Sequence, residues 1–331
     1  MEQMTFGSGD FSVEIWTLGA CVNDIRMPDR SGQVSSVLLG YGREEDRRHG
    51  RVYLGEICGP FANRIGAGGY AIDGRTHTPD LNDGGVATLH GGRRGWNYQE
   101  WTVTQLDQQG VRLHLDWSDP SGGFPGPIHA DVEYRLDGWS LTHTIRASVD
   151  APSVLNVVSH PYFNLSGGAE IADHELQVMA NHYLPVDQAS IPLPDAPWPV
   201  AGSPFDFRQP RRLGEALASQ DPQMLLHGGI DHALVLDHPD HTVECVACLS
   251  HPASGRQLRI HTDYPALQVY TGQFLADPAV SHPAGAGPAG SGIALETEDY
   301  PNAPQRPDFP STVVRPGQTY LRTTTWEFRV G

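Results

Sequence analysis

Four short segments of the chain place ionisable side chains beside apolar, strand-like runs. They are Gly59-Pro60-Phe61-Ala62-Asn63-Arg64-Ile65, Leu89-His90-Gly91-Gly92-Arg93-Arg94, Val158-Ser159-His160-Pro161-Tyr162-Phe163-Asn164-Leu165 and Gly292-Ile293-Ala294-Leu295-Glu296-Thr297-Glu298. Burial at the end of a strand shifts a pKa most strongly, and proton-transfer catalysis draws on groups shifted in this way. Side chains alternate along a strand, so Glu296 and Glu298 fall on one face. Two neighbouring carboxyls resist double ionisation, which raises one toward the range useful for moving protons. A solvated face with Thr297 turned inward fits the same residues, and His160 also fits a hydrogen-bonded core histidine. The residues alone leave both readings open.

Several other chemistries lack their parts. The chain has no lysine, and all 22 of its basic residues are arginines. That removes Schiff-base chemistry, lysine-held pyridoxal phosphate and a Walker-type phosphate loop. No G-x-S-x-G nucleophile elbow occurs, and no G-x-G-x-x-G sits between a strand and a helix. His227, Asp231 and His232 lie close in sequence without an H-E-x-x-H helix, so no catalytic metal is expected. A formal net charge of −17 disfavours nucleic acid and anionic membrane as partners.

Cys245 and Cys248 have C-x-x-C spacing inside an apolar run, Val243 to Leu249. In a regular strand, positions three apart face opposite sides, so these two and Cys21 and Cys58 are expected to be buried structural thiols. The first 20 residues lack a basic, apolar leader pattern, and no run of about 20 apolar residues occurs. The expected location is the cytoplasm.

The elements that must position the four segments read as strands. Val111, Leu113, Leu115 and Trp117 alternate on period two, and Phe11–Leu18, Ala130–Leu136, Leu141–Val149, Leu234–Leu236, Gln257–His261 and Leu267–Tyr270 are similar apolar runs. With 37 glycines and 27 prolines spread through the chain, long helices have little room. A short helix is predicted within Pro210–Ala218, a surface crossover at Asp195–Pro204 and a loop at Ser281–Gly292. The prediction is an all-β sandwich or barrel in a single domain spanning residues 1–331.

Taken together in order, these segments resemble the galactose mutarotase (aldose 1-epimerase) family. Pro204-Phe205-Asp206-Phe207-Arg208, Gly229-Ile230-Asp231-His232, Gln268-Val269-Tyr270-Thr271-Gly272 and Tyr300-Pro301-Asn302-Ala303-Pro304 add to the match, which runs from about Gly19 to Phe328. The resemblance implies one large antiparallel β-sandwich with a sugar in an open cleft. It implies Glu296 as the base at the anomeric hydroxyl, His160 as the acid at the ring oxygen and His90 as a second histidine at the reacting centre. Asn63, Arg64, His90, Tyr162, Asp231 and Gln268 are implied to contact a free aldohexose or aldopentose. Neither cofactor nor metal is implied, and the assembly is expected to be a monomer or homodimer. A sugar-binding protein without turnover and a sugar-phosphate epimerase are the alternatives on the same fold. Three positions depart from the family pattern: Pro60 replaces a common arginine, Ser159 a common asparagine and Glu298 a common glutamine. Ser159 leaves the bond that would orient the His160 ring open. Glu298 is expected to raise the acidic limb of the pH–rate profile.

Overall fold

The computed structural model describes residues 1–331 except 50–51, 120, 122, 169, 238–241, 276–279 and 282–288. Most of the predicted Ser281–Gly292 loop therefore lies outside the described residues. Two large antiparallel sheets carry the fold. Among the described residues, the larger has nine strands in the order Thr102–Leu106, Gly110–Trp117, Ile128–Asp137, Ser140–Val149, Tyr320–Val330, Arg256–Thr262, Glu244–Ser250, Glu175–Val178, Arg211–Arg212. The other has eight, with Asp231–Leu236, Ala266–Tyr270, Ile293–Glu298 and Tyr162–Phe163 at its centre.

Alternation explains the larger sheet. Val111, Leu113, Leu115 and Trp117 are buried while Arg112, His114 and Asp116 face outward, as a half-buried antiparallel strand requires. The inner faces meet where Phe163 of the smaller sheet packs edge-on against Trp326 of the larger, with ring centroids 5.5 Å apart. Thr297 and Thr324 share a hydroxyl hydrogen bond of 2.8 Å across the same gap. Thr297 thus turns inward, and its neighbours Glu296 and Glu298 must face the opposite side of their sheet. That side is not solvated, because every residue of Ile293–Glu298 is buried. A four-stranded sheet (Gln3–Ser8, Phe11–Trp16, Cys21–Pro28, Val34–Ser36) covers one end of the core, where Phe11 stacks on Trp139 at 5.6 Å.

Helices are short. The predicted one is present as Leu213–Leu217, with Leu213 and Ala216 buried. Two more, Glu44–His49 and Pro222–His227, were not anticipated. The second carried a legible signal: Asp221 caps it by accepting from the Gln223 amide, Pro222 occupies its first turn, and Gly228 ends it at φ +71°. The Asp195–Pro204 crossover contains the short edge strand Trp198–Pro199.

The cysteine expectation needs correction. Cys21 and Cys58 are buried, but Cys245 is exposed and Cys248 half-buried. A register shift between Cys245 and Ala247 breaks the alternation, so Val246 and Ala247 are both buried. The extra residue returns Cys248 to the outward side shared with Cys245.

Candidate active site

Strand pairing brings the four segments to one place. Arg64–Gly66 pairs with Ala87–Leu89, setting Leu89 opposite Arg64. The pairing continues as His90 donates its backbone N–H to the Asn63 carbonyl at 3.0 Å. Asn63 and His90 both sit at positive φ, +56° and +51°. The next residue must be glycine: Gly91 has φ +80°, and a Cβ there would stand 2.1 Å from the Gly59 carbonyl oxygen. His160 follows Val158–Ser159, which pairs with Ile57–Cys58. In the smaller sheet, Ala266–Tyr270 lies between two strands, so Gln268 faces Glu296 on one side and Ala233 on the other.

These elements enclose a cavity of about 180 Å³ lined by Tyr53, Asn63, Arg64, His90, His160, Tyr162, Asp231, Gln268, Tyr270, Phe274 and Glu296, with Val52, Leu89 and Leu275. All the expected site residues are on its wall. Tyr53, Tyr270 and Phe274 were not predicted; Tyr53 sits in an irregular stretch and offered no pattern to detect. Arg93 is exposed and paired with Asp80, outside this lining.

On the cavity floor, Nε2 of His160 lies 3.3 Å from Oε1 of Glu296, and both side chains are buried. Burial pulls the His160 pKa down to about 3. Burial, and after it the charge of Asp231, pushes Glu296 well above the usual carboxylate range, with Arg64 opposing. Both shifts disfavour charge, so in the empty cavity the pair's one titratable proton rests on Glu296 and His160 is neutral. Among the described residues, Ser159 Oγ makes no hydrogen bond to the His160 ring.

Glu298 is held differently. It accepts from Asn63 Nδ2 at 3.2 Å, while burial first and the Glu296 charge second raise its pKa well above the ordinary value. The two carboxyls share a strand face, and the repulsion between them falls on whichever ionises second. What raises Glu296 is burial and Asp231.

His90 accepts the Asn63 backbone N–H on Nδ1 at 3.2 Å. A neutral ring then carries its own proton on Nε2, so it presents a donor to the cavity. Burial, with His160 and Arg64 nearby, holds its pKa well below 6.5 and keeps it neutral. Donor atoms of His90, His160 and Glu296 lie within 4.8 Å of one another, a spacing that could hold a metal ion. The Nε2–H tautomer argues against ligation, because a metal needs a lone pair where His90 offers a proton.

The polar wall opposite is preorganised. Arg64 donates from Nε to Asp83 at 2.7 Å and reaches Asp231 from NH1 at 3.9 Å. Burial works against its charge, but Asp231 and Asp83 outweigh that cost. Gln268 donates to Asp231 at 2.6 Å, which leaves its own Oε1 to accept. A fixed guanidinium, a carboxylate and an amide carbonyl form a donor–acceptor set suited to a polyhydroxylated ligand.

Residues 2–326 match the aldose 1-epimerase family profile. The chain belongs to the aldose 1-epimerase family. It is 36% identical over its whole length to the galactose mutarotase of Homo sapiens, covering 94% of that protein. It is 35% identical to the aldose 1-epimerase of Escherichia coli (strain K12), covering 96% of this chain and 91% of that one. A crystal structure of an aldose epimerase homologue from C. elegans superposes with a TM-score of 0.89 at 25% identity, covering 99% of both chains. The family's β-rich fold and its isomerase chemistry therefore belong to this chain as well.

Proposed function

We propose that this chain interconverts the α and β anomers of a free aldose through Glu296 as base and His160 as acid. The observation that carries the assignment is their 3.3 Å contact on the cavity floor. Opening a hemiacetal ring removes the proton from O1 and places one on O5, so one base and one acid must address the same edge of the sugar. In the form of the pair whose one proton has passed from Glu296 to His160 across their contact, Glu296 takes the O1 proton while His160 protonates O5. The open-chain aldehyde turns about C1–C2, and the carbonyl is attacked by O5 from its other face. The two groups then exchange roles, and the enzyme returns to its starting protonation state.

His90 donates from Nε2 to a sugar oxygen beside the reacting centre. Arg64, Asp231 and Gln268 hold the remaining hydroxyls, and the Tyr162 ring packs beside His160 at 4.9 Å. Residues 1–331 act as one domain, and the cytoplasm is the proposed location. Among the described residues, no helix is long and apolar enough to cross a membrane. A phosphorylated sugar fits less well. Arg64 is the arginine lining the cavity among the described residues, and it is already engaged with two carboxylates.

Polarimetry of freshly dissolved α-glucose and α-galactose tests the reading. Enzyme accelerates the approach to anomeric equilibrium, and His160→Ala loses most of that acceleration. No acceleration on any common aldose would overturn the activity; a full rate in His160→Ala would overturn the role of His160. Sugar affinity without a rate effect would identify a binding protein.

A further inference from the structure

Behind the His160 wall lies a charged pair that the chemistry above does not use. Arg47, on the helix Glu44–His49, and Glu56 are both buried, with NH1 3.4 Å from Oε1. Neither lines the cavity. Glu56 also accepts from the Tyr41 hydroxyl at 3.0 Å. Arg47 donates to the carbonyls of Leu18, at 3.3 Å, and of Asn97. The guanidinium fits because residue 19 is glycine: a Cβ there would stand 2.4 Å from Arg47 NH2. Burying such a pair costs several kcal/mol per ion in desolvation, and an apolar pair of similar volume is often as stable. Stability alone is therefore a weak reason for it.

The backbone of the same segment grips His160 from both sides. The His160 N–H donates to the Glu56 carbonyl at 3.0 Å, and the Gly55 N–H donates to the His160 carbonyl at 2.9 Å. Three residues before Glu56, Tyr53 packs against both imidazoles, with centroids 4.5 Å from His90 and 5.8 Å from His160. Catalytic histidines are commonly oriented by a hydrogen bond to the second ring nitrogen. Among the described residues no side chain holds His160 Nδ1, so backbone placement and ring packing orient the ring.

We propose that the buried Arg47–Glu56 pair is a positioning device that locks the segment Tyr53–Cys58 and thereby holds the His160 ring at its working distance from Glu296. The proposal rests on the role assigned to His160 above. Arg47 and Glu56 act through that segment without touching the sugar. Their loss therefore lowers the chemical step while leaving sugar affinity in place, since Arg64, Asp231 and Gln268 lie on other strands.

The test is mutarotation kinetics of the double variant Arg47→Met/Glu56→Gln, which removes both charges and leaves neither buried alone. The expected result is a fall in kcat of about 10- to 100-fold with KM within about 3-fold of wild type, the scale of an ångström-level misplacement. Thermal unfolding and near-UV circular dichroism establish that the variant is folded. A folded double variant with wild-type kcat overturns the proposal, as does a loss that falls on KM alone. If the double variant does not fold, Tyr41→Phe carries the test, because it removes only the hydroxyl that steadies Glu56. It should lower kcat by about 3-fold or more at unchanged KM, and a wild-type kcat overturns the proposal. His160→Ala run in parallel separates the two ideas: a full rate there defeats the catalytic assignment, whereas a dead His160→Ala beside a wild-type positioning variant defeats only the device.

Discussion

Nε2 of His160 and Oε1 of Glu296 stand 3.3 Å apart on the cavity floor, with both side chains buried. Each is shifted in the sense that lowers its charge, the imidazole downward and the carboxyl upward. One proton on the pair is the productive inventory, because the reaction takes a proton from one sugar oxygen and returns one to another.

Glu296→Gln keeps the size and polarity of the side chain and removes its basicity. The expected loss in kcat is about 100- to 10,000-fold, the range of a positioned general base, with KM changed little. Polarimetric progress curves measure both parameters. A variant retaining a tenth of the wild-type kcat would place the base elsewhere.

Glu298→Gln addresses the neighbouring carboxyl. Burial and Glu296 together raise Glu298 well above the ordinary carboxylate range, so it adds little charge at the acidic end of the profile. The expected acidic limb of kcat/KM is therefore the same in variant and wild type, contrary to the reading from sequence. The difference falls at the alkaline end. There an ionised Glu298 would make the His160–Glu296 pair hold its proton more tightly, so the wild type leaves the plateau after the variant does. A displaced acidic limb in Glu298→Gln would restore the earlier expectation.

Arg64→Lys separates binding from chemistry. The guanidinium is held by Asp83 through Nε and still points toward Asp231, a fork that an ammonium cannot reproduce. The expected change is a rise in KM of about 10-fold, with kcat lowered less. Initial rates across a range of sugar concentrations distinguish this from a loss confined to kcat, which would assign Arg64 to the reacting edge.

His143 is outside the cavity lining and shapes acid stability. It is buried in the larger sheet, with its ring 4.8 Å from that of Trp326, and burial lowers its pKa from 6.5 to about 3. Between those values the unfolded chain binds the proton and the folded chain does not, so stability rises with pH across the window. The contribution is fully present above 6.5 and is lost as pH falls toward 3, amounting to at most about 5 kcal/mol. His143→Leu is expected to flatten the decline of the melting temperature between pH 7 and pH 4. An unchanged slope would mean that other buried histidines, such as His174 and His232, carry the acid sensitivity.

Much of this protein was legible in the sequence. Period-two alternation gave the strands of the larger sheet, because one face of each meets the core and the other meets water. The ordered set Asn63-Arg64, His90, His160, Asp231, Gln268 and Glu296 gave the wall of the cavity. Local rules failed where a neighbour overrode them. A bulge turned Cys245 outward despite its apolar run, and Tyr53 entered the cavity from a segment with no periodicity to read.

The sequence by itself determined which groups could move protons, since residue type fixes that chemistry and the alternation of a strand fixes which of them share a face. Only the tertiary structure decided how each is tuned. Glu296 owes its raised pKa to burial and to Asp231, 65 positions away, more than to its neighbour Glu298. The His90 proton is placed by an amide from another segment, and His160 is gripped by backbone about a hundred residues earlier. Desolvation and Coulomb energy depend on distance and surroundings in space, which order along the chain does not encode locally.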